Sequence, residues 1–277
     1  MATCYRHPDR ETGLSCSECG RPICTDCMTI APVGIRCPEH AGGSAPRTPG
    51  QQAVRSAPRA LANLRGAYVT RALVIANVFI YLITVAQGSG LNSPGGALFD
   101  KWLLFGPYVA QGQWWRLITS AFLHASILHI ALNMLALWWL GSIVEQLLGH
   151  GRYLALYFTA GLAGSAGALL ATPLEPTVGA SGAIYGILGS LLILEWLQTG
   201  TFMGPALTLI VINLAFSFTA SGISWGGHVG GLIAGIAGTL AFWQARKLRQ
   251  PWLGYATLVA ISALSVAVAY WKVRGMA

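Results

Sequence analysis

Charged side chains are scarce in this sequence, and their scarcity excludes most soluble proteins. Only 9% of the 277 residues are Asp, Glu, Lys or Arg, whereas 54% are hydrophobic. An ordinary soluble domain carries about 25% charged residues. A chain with so little charge is therefore predicted to be an integral, multi-pass membrane protein.

Other absences divide the chain into two parts. No cysteine follows residue 37, and five of the nine acidic residues lie within the first 40 positions. Residues 1–40 lack the apolar core of a secretory signal peptide, so we expect no such signal there. The sequence thus predicts a small polar module at the amino terminus, followed by a large apolar body.

The basic residues do not indicate nucleic-acid binding. The net charge of +8 comes mostly from Lys and Arg residues that flank apolar runs. Basic residues in that position orient membrane helices, because they stay on the cytoplasmic side. We therefore expect a lipid bilayer, and no nucleic acid, among the partners.

The polar module has the spacing of a metal-binding domain. Its cysteines and two histidines form four pairs, each with two residues between its members: Cys4 and His7, Cys16 and Cys19, Cys24 and Cys27, Cys37 and His40. Zinc takes four Cys or His ligands, so eight ligands suffice for two closed structural sites. Three disulfides are the alternative, but they give no reason for the histidines to complete the pairs. Thiolate ligands also indicate a reducing compartment.

The order of these ligands resembles the B-box type of zinc finger. In that family the ligand pairs interleave, the first with the third and the second with the fourth. The resemblance implies one zinc held by Cys4, His7, Cys24 and Cys27, and a second held by Cys16, Cys19, Cys37 and His40. Sequential pairing is left open. Residues 1–42 are predicted to form this domain, and the Gly-, Ala-, Pro- and Arg-containing residues 43–68 a flexible linker.

The remaining residues, 69–272, are predicted to form an all-α polytopic membrane domain. A helix that spans a bilayer needs about 20 mostly apolar residues. Seven candidates lie at roughly 70–87, 126–147, 152–171, 181–198, 204–220, 226–244 and 252–271. Arg55, Arg59, Arg65 and Arg71 lie before or at the start of the first candidate, and three basic residues lie between the sixth and the seventh. This distribution predicts a cytoplasmic amino terminus. The abundant Ala and Gly favour a bacterial origin.

A few polar residues interrupt the apolar body, and each of them is a candidate for function. Ser181 opens the fourth segment within "GASGAIYG", and Tyr185 follows it one turn later. His129 and Asn133 share one face of the second segment, and His228 lies in the sixth. Each residue alone could serve helix packing. Together they supply a nucleophile, a base and two donors for an oxyanion.

These motifs resemble those of the rhomboid family of intramembrane serine proteases, over roughly residues 70–245. The matching stretches are "GASGAIYG", "HASILHIALN", "GHVGG", the "WWR" of the first loop, and "GSIVEQLLG". The resemblance implies a six-helix core, to which this chain adds a seventh carboxy-terminal helix and the zinc module. It also implies a Ser181–His228 catalytic dyad, with oxyanion donors from His129, Asn133 and the Ser181 N–H.

One member of the usual serine-protease triad is missing. No Asp or Glu lies near His228 in the sequence, so no carboxylate is expected to orient its imidazole. In the rhomboid family a tyrosine four residues after the serine stacks on the histidine, and here that position is Tyr185. A slow protease is therefore expected, with no cofactor for catalysis.

The resemblance leaves two functions in view. The first is an endopeptidase that cleaves transmembrane segments of client membrane proteins. The second is a non-catalytic adaptor that binds client helices and recruits a cytosolic protein through the zinc module. Retention of both Ser181 and His228 favours the first. A transporter is disfavoured, because the chain lacks internal repeats and paired broken helices.

Overall fold

The chain forms two compact units, Met1–Leu61 and Ala62–Ala277. The structure is a computed structural model that describes residues 2–30, 34–41, 66–220 and 222–276. Most of the predicted linker, residues 43–68, lies outside the described residues. The predicted domain boundaries therefore stay a prediction.

The amino-terminal unit contains two short antiparallel hairpins and one helical turn. Strands β1 (Ala2–Thr3) and β2 (Glu11–Thr12) pair with each other, as do β3 (Thr29–Ile30) and β4 (Ile35–Arg36). Helix α1 spans Pro38–Ala41. Two-residue strands bury little apolar surface, so this unit has almost no conventional core.

Seven long helices and several short ones form the second unit. The long helices are α2 (Tyr68–Gln87), α6 (Ile127–Leu148), α7 (His150–Ala171), α8 (Ser181–Thr199), α9 (Pro205–Thr219), α10 (Trp225–Lys247) and α11 (Trp252–Val273). Between α2 and α6 lie α3 (Ala97–Trp102), α4 (Gly106–Ala110), α5 (Arg116–Thr119) and a 3₁₀ turn at Ser120–Phe122.

The seven predicted segments agree with these helices to within three residues at each end. Among the described residues, six of the helices are long and apolar enough to cross a membrane. The exception is α9, whose 15 residues give a length of about 22 Å, against a hydrocarbon core of about 30 Å. The predicted fold class, an all-α polytopic membrane protein with a helix added after the sixth, is confirmed.

Glycines allow α8 to pack closely on α10. Gly182 and Gly186 of α8 face Gly231 and Gly235 of α10, and a Cβ on Gly235 would lie 2.5 Å from the Gly186 Cα. Such close approach is possible only without side chains, and it replaces the hydrophobic effect as a source of helix association in lipid. Ser181 lies next to Gly182, and His228 lies one turn before Gly231. The same contacts therefore hold Ser181 and His228 at a defined separation.

A buried carboxylate joins α2 to α6. The Glu145 side chain is fully buried, and its two oxygens accept hydrogen bonds from the backbone N–H groups of Val69 and Thr70, at 2.9 and 2.8 Å. These donors lie at the start of α2, where the helix leaves N–H groups without a partner. His150 Nδ1 lies 2.5 Å from the same carboxylate. Glu145 therefore caps the start of α2.

Candidate active site and metal sites

The candidate site lies where the amino-terminal ends of three long helices converge. Ser181 is the first residue of α8. His129 and His228 lie in the first turns of α6 and α10, whose N-caps Ser126 and Ser224 accept hydrogen bonds from the N–H groups of His129 and Gly227. Helix N-termini carry partial positive charge, so their convergence favours a negative charge at this place.

Ser181 and His228 are in direct hydrogen-bond contact. The distance from Ser181 Oγ to His228 Nε2 is 2.8 Å, although 47 residues separate them in the chain. His228 is buried, and Ser181 is partly accessible. This is the geometry that a serine needs to pass its proton to a base.

Two side chains hold the His228 ring on its other sides. Tyr185 stacks on the imidazole with ring centroids 4.1 Å apart and planes 13° from parallel. Ser217, near the end of α9, lies 2.7 Å from His228 Nδ1 through its Oγ. The Tyr185 hydroxyl lies 3.0 Å from the same Ser217 Oγ. The imidazole is therefore held by α8 and α9 in addition to its own helix.

His129 borders the same space as Ser181. A Cβ on Gly179 would lie 2.8 Å from His129 Nε2 and 3.8 Å from Ser181 Oγ, so both atoms face the bare side of this glycine. Gly179 also has φ +126°, a conformation that other residues rarely adopt. The backbone N–H of Ala125 donates to His129 Nδ1 at 3.4 Å, which leaves the proton of the neutral ring on Nε2, toward Gly179.

Asn133 is buried one turn after His129 on the same face of α6. Its side-chain nitrogen donates to the His129 carbonyl at 2.9 Å. An amide nitrogen carries two N–H groups, so this bond leaves a second donor. Among the hydrogen bonds of the described residues, none joins Asn133 to Ser181 or His228. The structure therefore brings Ser181, His228 and Tyr185 into contact and His129 beside them, with Asn133 next to His129.

A small cavity opens beside Ser181. Its volume is about 30 Å³, and its mostly apolar lining includes four hydroxyl-bearing residues, Ser120, Ser165, Thr177 and Ser224. A water molecule needs roughly 10–15 Å³ of such volume and two or more polar partners. The cavity is thus large enough for about two water molecules next to the serine, and the hydroxyl-bearing residues are the potential partners of such water.

The first loop closes one wall of this cavity and is held by a buried arginine. The Arg116 guanidinium donates to the carbonyls of Asp100 and Leu103, both at 2.7 Å, and to the Gln113 side chain. The loop also pairs with the segment before α8, since Leu104 and Thr177 exchange backbone hydrogen bonds of 3.0 and 2.8 Å. The arginine of the "WWR" motif therefore orders the first loop, and this loop in turn binds the segment that precedes α8.

The amino-terminal unit assembles two groups of potential metal ligands. Cys4, His7, Cys24 and Cys27 form one group, and Cys16, Cys19, Cys37 and His40 the other. Within each group the candidate ligand atoms lie within 4.8 Å of one another, and all six cysteines have free thiols. These are the interleaved groups that the B-box resemblance implies, and each could bind a metal ion.

Several separations within the groups match tetrahedral zinc, whereas the distances from His40 Nδ1 range from 3.1 Å to the Cys37 sulfur to 4.0 Å to the Cys16 sulfur. Two sulfurs at about 2.3 Å from a tetrahedral ion lie about 3.8 Å apart, and a sulfur and an imidazole nitrogen about 3.5 Å apart. The Cys19 and Cys37 sulfurs are 3.8 Å apart, and His7 Nδ1 lies 3.4 Å from the sulfurs of both Cys24 and Cys27. The residues present therefore fit the ion that the sequence pattern implies.

Backbone donors favour the thiolate at some of these cysteines, although burial and the neighbouring thiols raise the pKa of Cys27 to about 11. Burial by itself would raise the pKa of the Cys4 thiol, but N–H groups of Cys24, Arg6 and His7 donate to it and lower its pKa to about 6. Burial likewise acts to raise the pKa of Cys16, and backbone donors that include Cys37 and Cys19 lower it to about 6. Negative sulfurs in a cluster are the form that binds a metal ion.

Ser217 is a contact of the His228 ring that the sequence does not predict. It lies in "AFSFTASG", an apolar stretch with several small hydroxyl residues and no motif. Its four-residue spacing from Asn213 shows that the two share a helix face, but nothing in the chain indicates that this face meets His228.

Comparison with known proteins identifies the membrane domain. The family model of the Rhomboid domain matches residues 111–245. The chain is 40% identical over 172 residues to the rhomboid protease GluP of Bacillus subtilis, and the matched region is 59% of this chain and 32% of that protein. It is 36% identical over 135 residues to RHOMBOID-like protein 5 of Arabidopsis thaliana, and the matched region is 46% of this chain and 43% of that protein.

The chain thus spans less than half the length of each of these two relatives. The matched region nevertheless begins in the first loop and ends in α10, so it contains Ser181, His228 and the residues that surround them. With this match, the six apolar helices and the convergent site, the chain is an integral, multi-pass membrane protein that belongs to the rhomboid family.

Proposed function

We propose that this protein is an intramembrane serine endopeptidase that cleaves transmembrane segments of other membrane proteins. The observation that carries the proposal is the 2.8 Å contact between Ser181 Oγ and His228 Nε2. A serine is a weak nucleophile at its ordinary pKa and becomes reactive when a base takes its proton. The similarity to rhomboid proteases supports the same reading.

The reaction begins with attack of Ser181 Oγ on the substrate carbonyl carbon. As the new C–O bond forms, His228 Nε2 accepts the hydroxyl proton. The same proton then passes to the leaving amine as the peptide bond breaks, which produces an acyl-enzyme. A water molecule repeats the sequence with His228 as base, releases the acid product and regenerates Ser181. The cavity beside Ser181 has room for that water.

The tetrahedral intermediate carries a negative oxygen that needs donors. The backbone N–H of Ser181 lies at the start of α8, where the helix dipole favours negative charge. His129 Nε2 borders the same space, and the second amide N–H of Asn133 is the remaining candidate. A single well-placed donor contributes about 10²–10³ in rate.

The substrate is expected to be a transmembrane helix that unwinds locally, because a helical peptide bond is shielded from attack. The rhomboid resemblance implies cleavage near the outer end of that helix, after a small residue. The alternative function, a non-catalytic adaptor, is not favoured, since both members of the dyad are present and in contact.

The amino-terminal unit is proposed to hold two structural zinc ions, one in each Cys₃His group. All four ligand positions of each group come from the protein, so neither group offers the open position that a catalytic zinc needs. We place this unit in the cytoplasm, expected to be bacterial, because of the arginines before α2. A cytosolic protein partner for the unit stays a prediction.

The proposal is tested with a reconstituted transmembrane substrate. Ser181→Ala and His228→Ala should each abolish cleavage, and the double variant should lose no more than either single one, because the two residues act as one unit. A fluorophosphonate probe should label the wild-type protein and not Ser181→Ala. Thermal unfolding of each variant is the control for folding. Cleavage by Ser181→Ala at the wild-type rate would show that the serine serves packing alone.

A further inference from the structure

We propose that Ser217 is a positioning residue that fixes the tautomer and the orientation of the His228 imidazole. The inference rests on the proposed function, since it concerns the same dyad. It assigns to a hydroxyl on α9 the task that a carboxylate performs in a Ser–His–Asp triad.

Three groups surround the Ser217 hydroxyl at hydrogen-bond distance. Its Oγ lies 2.7 Å from the backbone carbonyl oxygen of Asn213, 2.7 Å from His228 Nδ1 and 3.0 Å from the Tyr185 hydroxyl. The Ser217 residue is only 3% exposed, so water does not compete for these contacts. All three distances lie in the range of good hydrogen bonds.

Counting protons gives these contacts one consistent assignment. A serine hydroxyl has one proton to donate and two lone pairs to accept. The Asn213 carbonyl can only accept, so it takes the Ser217 proton. His228 Nδ1 and the Tyr185 hydroxyl must then both donate to Ser217. The hydroxyl is fully satisfied, with one donated and two accepted bonds, and His228 carries its proton on Nδ1.

That tautomer is the one that catalysis requires. With the proton on Nδ1, the lone pair of the neutral ring lies on Nε2, which is 2.8 Å from Ser181 Oγ. The opposite tautomer would present N–H to the serine and could not act as its base. A triad carboxylate has the same effect, and a wrong tautomer costs such enzymes about 10⁴ in rate. Unlike a carboxylate, Ser217 supplies no negative charge.

The contacts also fix the direction of the ring. Tyr185 covers one face of the imidazole, and Ser217 holds its far edge. Because Tyr185 donates to Ser217, one hydroxyl ties the stacking residue and the histidine together. Among the hydrogen bonds that the structure describes for His228 side-chain atoms, the two partners are Ser181 and Ser217, and neither is a carboxylate.

A bond from serine to the carbonyl four residues earlier is common in membrane helices and would not by itself mean anything. Ser265 on α11 shows that ordinary case. It donates to the Ile261 carbonyl at 2.8 Å and is 8% exposed, and no aromatic or histidine contact is described for it. Ser265 therefore has the helix geometry of Ser217 without the contacts on which the inference rests, and it is the matched control.

The first experiment needs no variant of Ser217. The protein is labelled with ¹⁵N-histidine and reconstituted, and the His228 ring signals are assigned by their loss in His228→Gln. At a pH where the ring is neutral, we expect a single tautomer protonated on Nδ1. A ring protonated on Nε2, or an equal mixture of both tautomers, would overturn the inference whatever the activity.

The second experiment compares Ser217→Ala, Ser217→Thr and Ser265→Ala with the wild type on a transmembrane substrate. Ser217→Ala should lower kcat about tenfold and leave KM unchanged, as expected for one lost hydrogen bond that acts on the reacting base. Its His228 spectrum should show both tautomers. Ser217→Thr keeps the hydroxyl and should recover kcat and the Nδ1–H tautomer, and Ser265→Ala should match the wild type.

The outcomes separate this inference from the proposed function. If Ser181→Ala is inactive while Ser217→Ala keeps the wild-type kcat and a single tautomer, the dyad stands and the role of Ser217 is wrong. If Ser217→Ala and Ser217→Thr lose activity equally, with the Nδ1–H tautomer retained in both, Ser217 serves packing and the inference fails. If Ser181→Ala cleaves normally, the proposed function itself fails, whereas the tautomer spectrum still tests the Ser217 contact.

Discussion

The two units of this protein use opposite means to bring polar groups together. In the amino-terminal unit the ligands lie within 40 residues of each other, and short hairpins bring their sulfurs and imidazoles together. In the membrane domain His129, Ser181 and His228 come from three helices spread over a hundred residues. A unit with almost no apolar core depends on its ligands for stability. In the membrane domain, packing through small residues holds the helices together, so the reactive groups are not needed for stability.

Removal of metal should give the largest effect, and only in the amino-terminal unit. Reduced, full-length protein is expected to contain about two zinc ions per chain. Binding to structural sites of this kind contributes about 10–16 kcal/mol to folding, so a strong chelator should unfold residues 2–41. Cleavage of the membrane substrate should persist.

Metal analysis, limited proteolysis of the amino-terminal unit and the cleavage assay check this prediction together, and restoring zinc is the control. Folded, reduced protein with one zinc or none would contradict the eight-ligand assignment. Loss of cleavage that zinc restores would show that the units are not independent.

Substitution in the glycine contacts between α8 and α10 should break the membrane domain alone. A Cβ on Gly231 would meet the Gly182 backbone oxygen, so Gly231→Ala forces the helices apart and should cost about 1–3 kcal/mol. Gly161→Ala is the matched helical control, since its Cβ would meet only the Ala183 Cβ, at 3.8 Å. Thermal unfolding should show a lower Tm for Gly231→Ala than for the wild type and no decrease for Gly161→Ala. The zinc content of both variants should equal that of the wild type. Equal Tm values for the two variants would argue against close helix contact at this place.

A smaller change, at Gly179, should separate activity from stability. Gly179→Ala places a methyl group against His129 Nε2, where the oxyanion is proposed to lie, and should lower kcat about 10²-fold, as does loss of one donor. Gly90 has almost the same φ, +129° against +126°, but nothing lies within 4 Å of its Cβ position. Gly90→Ala therefore reports the cost of the backbone conformation without the contact. If both variants kept the same kcat, the space beside Gly179 would have no part in the reaction.

The conservative change Tyr185→Phe should give the smallest effect. Tyr185→Phe keeps the ring that stacks on His228 but loses the hydroxyl bonded to Ser217, and should lower kcat about two- to fivefold. Tyr185→Ala loses the stacking as well and should be far slower. Cleavage rates at saturating substrate, with Tm as the folding control, measure both. A Phe variant as slow as the Ala variant would show that the hydroxyl, and not the ring, positions the histidine.

Several features of the molecule could be predicted because local chemistry carries them. The paired spacing of Cys and His is a property of a few neighbouring residues, and apolar runs of bilayer length show wherever they occur. Gly179 and Ser181 were recognisable in "GASGAIYG" for the same reason. The interleaving of the zinc ligands did not follow from spacing, because ligands at these spacings can be grouped in more than one way, and it came only from the resemblance to the B-box type.

The sequence by itself determined which chemical groups each site has available. These are six cysteines and two histidines at the amino terminus, and one serine, two histidines and one asparagine in the apolar body. Only the tertiary structure decided which groups meet. It placed Ser217 of α9 against His228 across a helix hairpin, and it gave Gly182 a role in helix packing and Gly179 a place beside His129. Such contacts depend on the rotation and separation of helices, and these are set by the packing of the whole bundle rather than by any local run of residues.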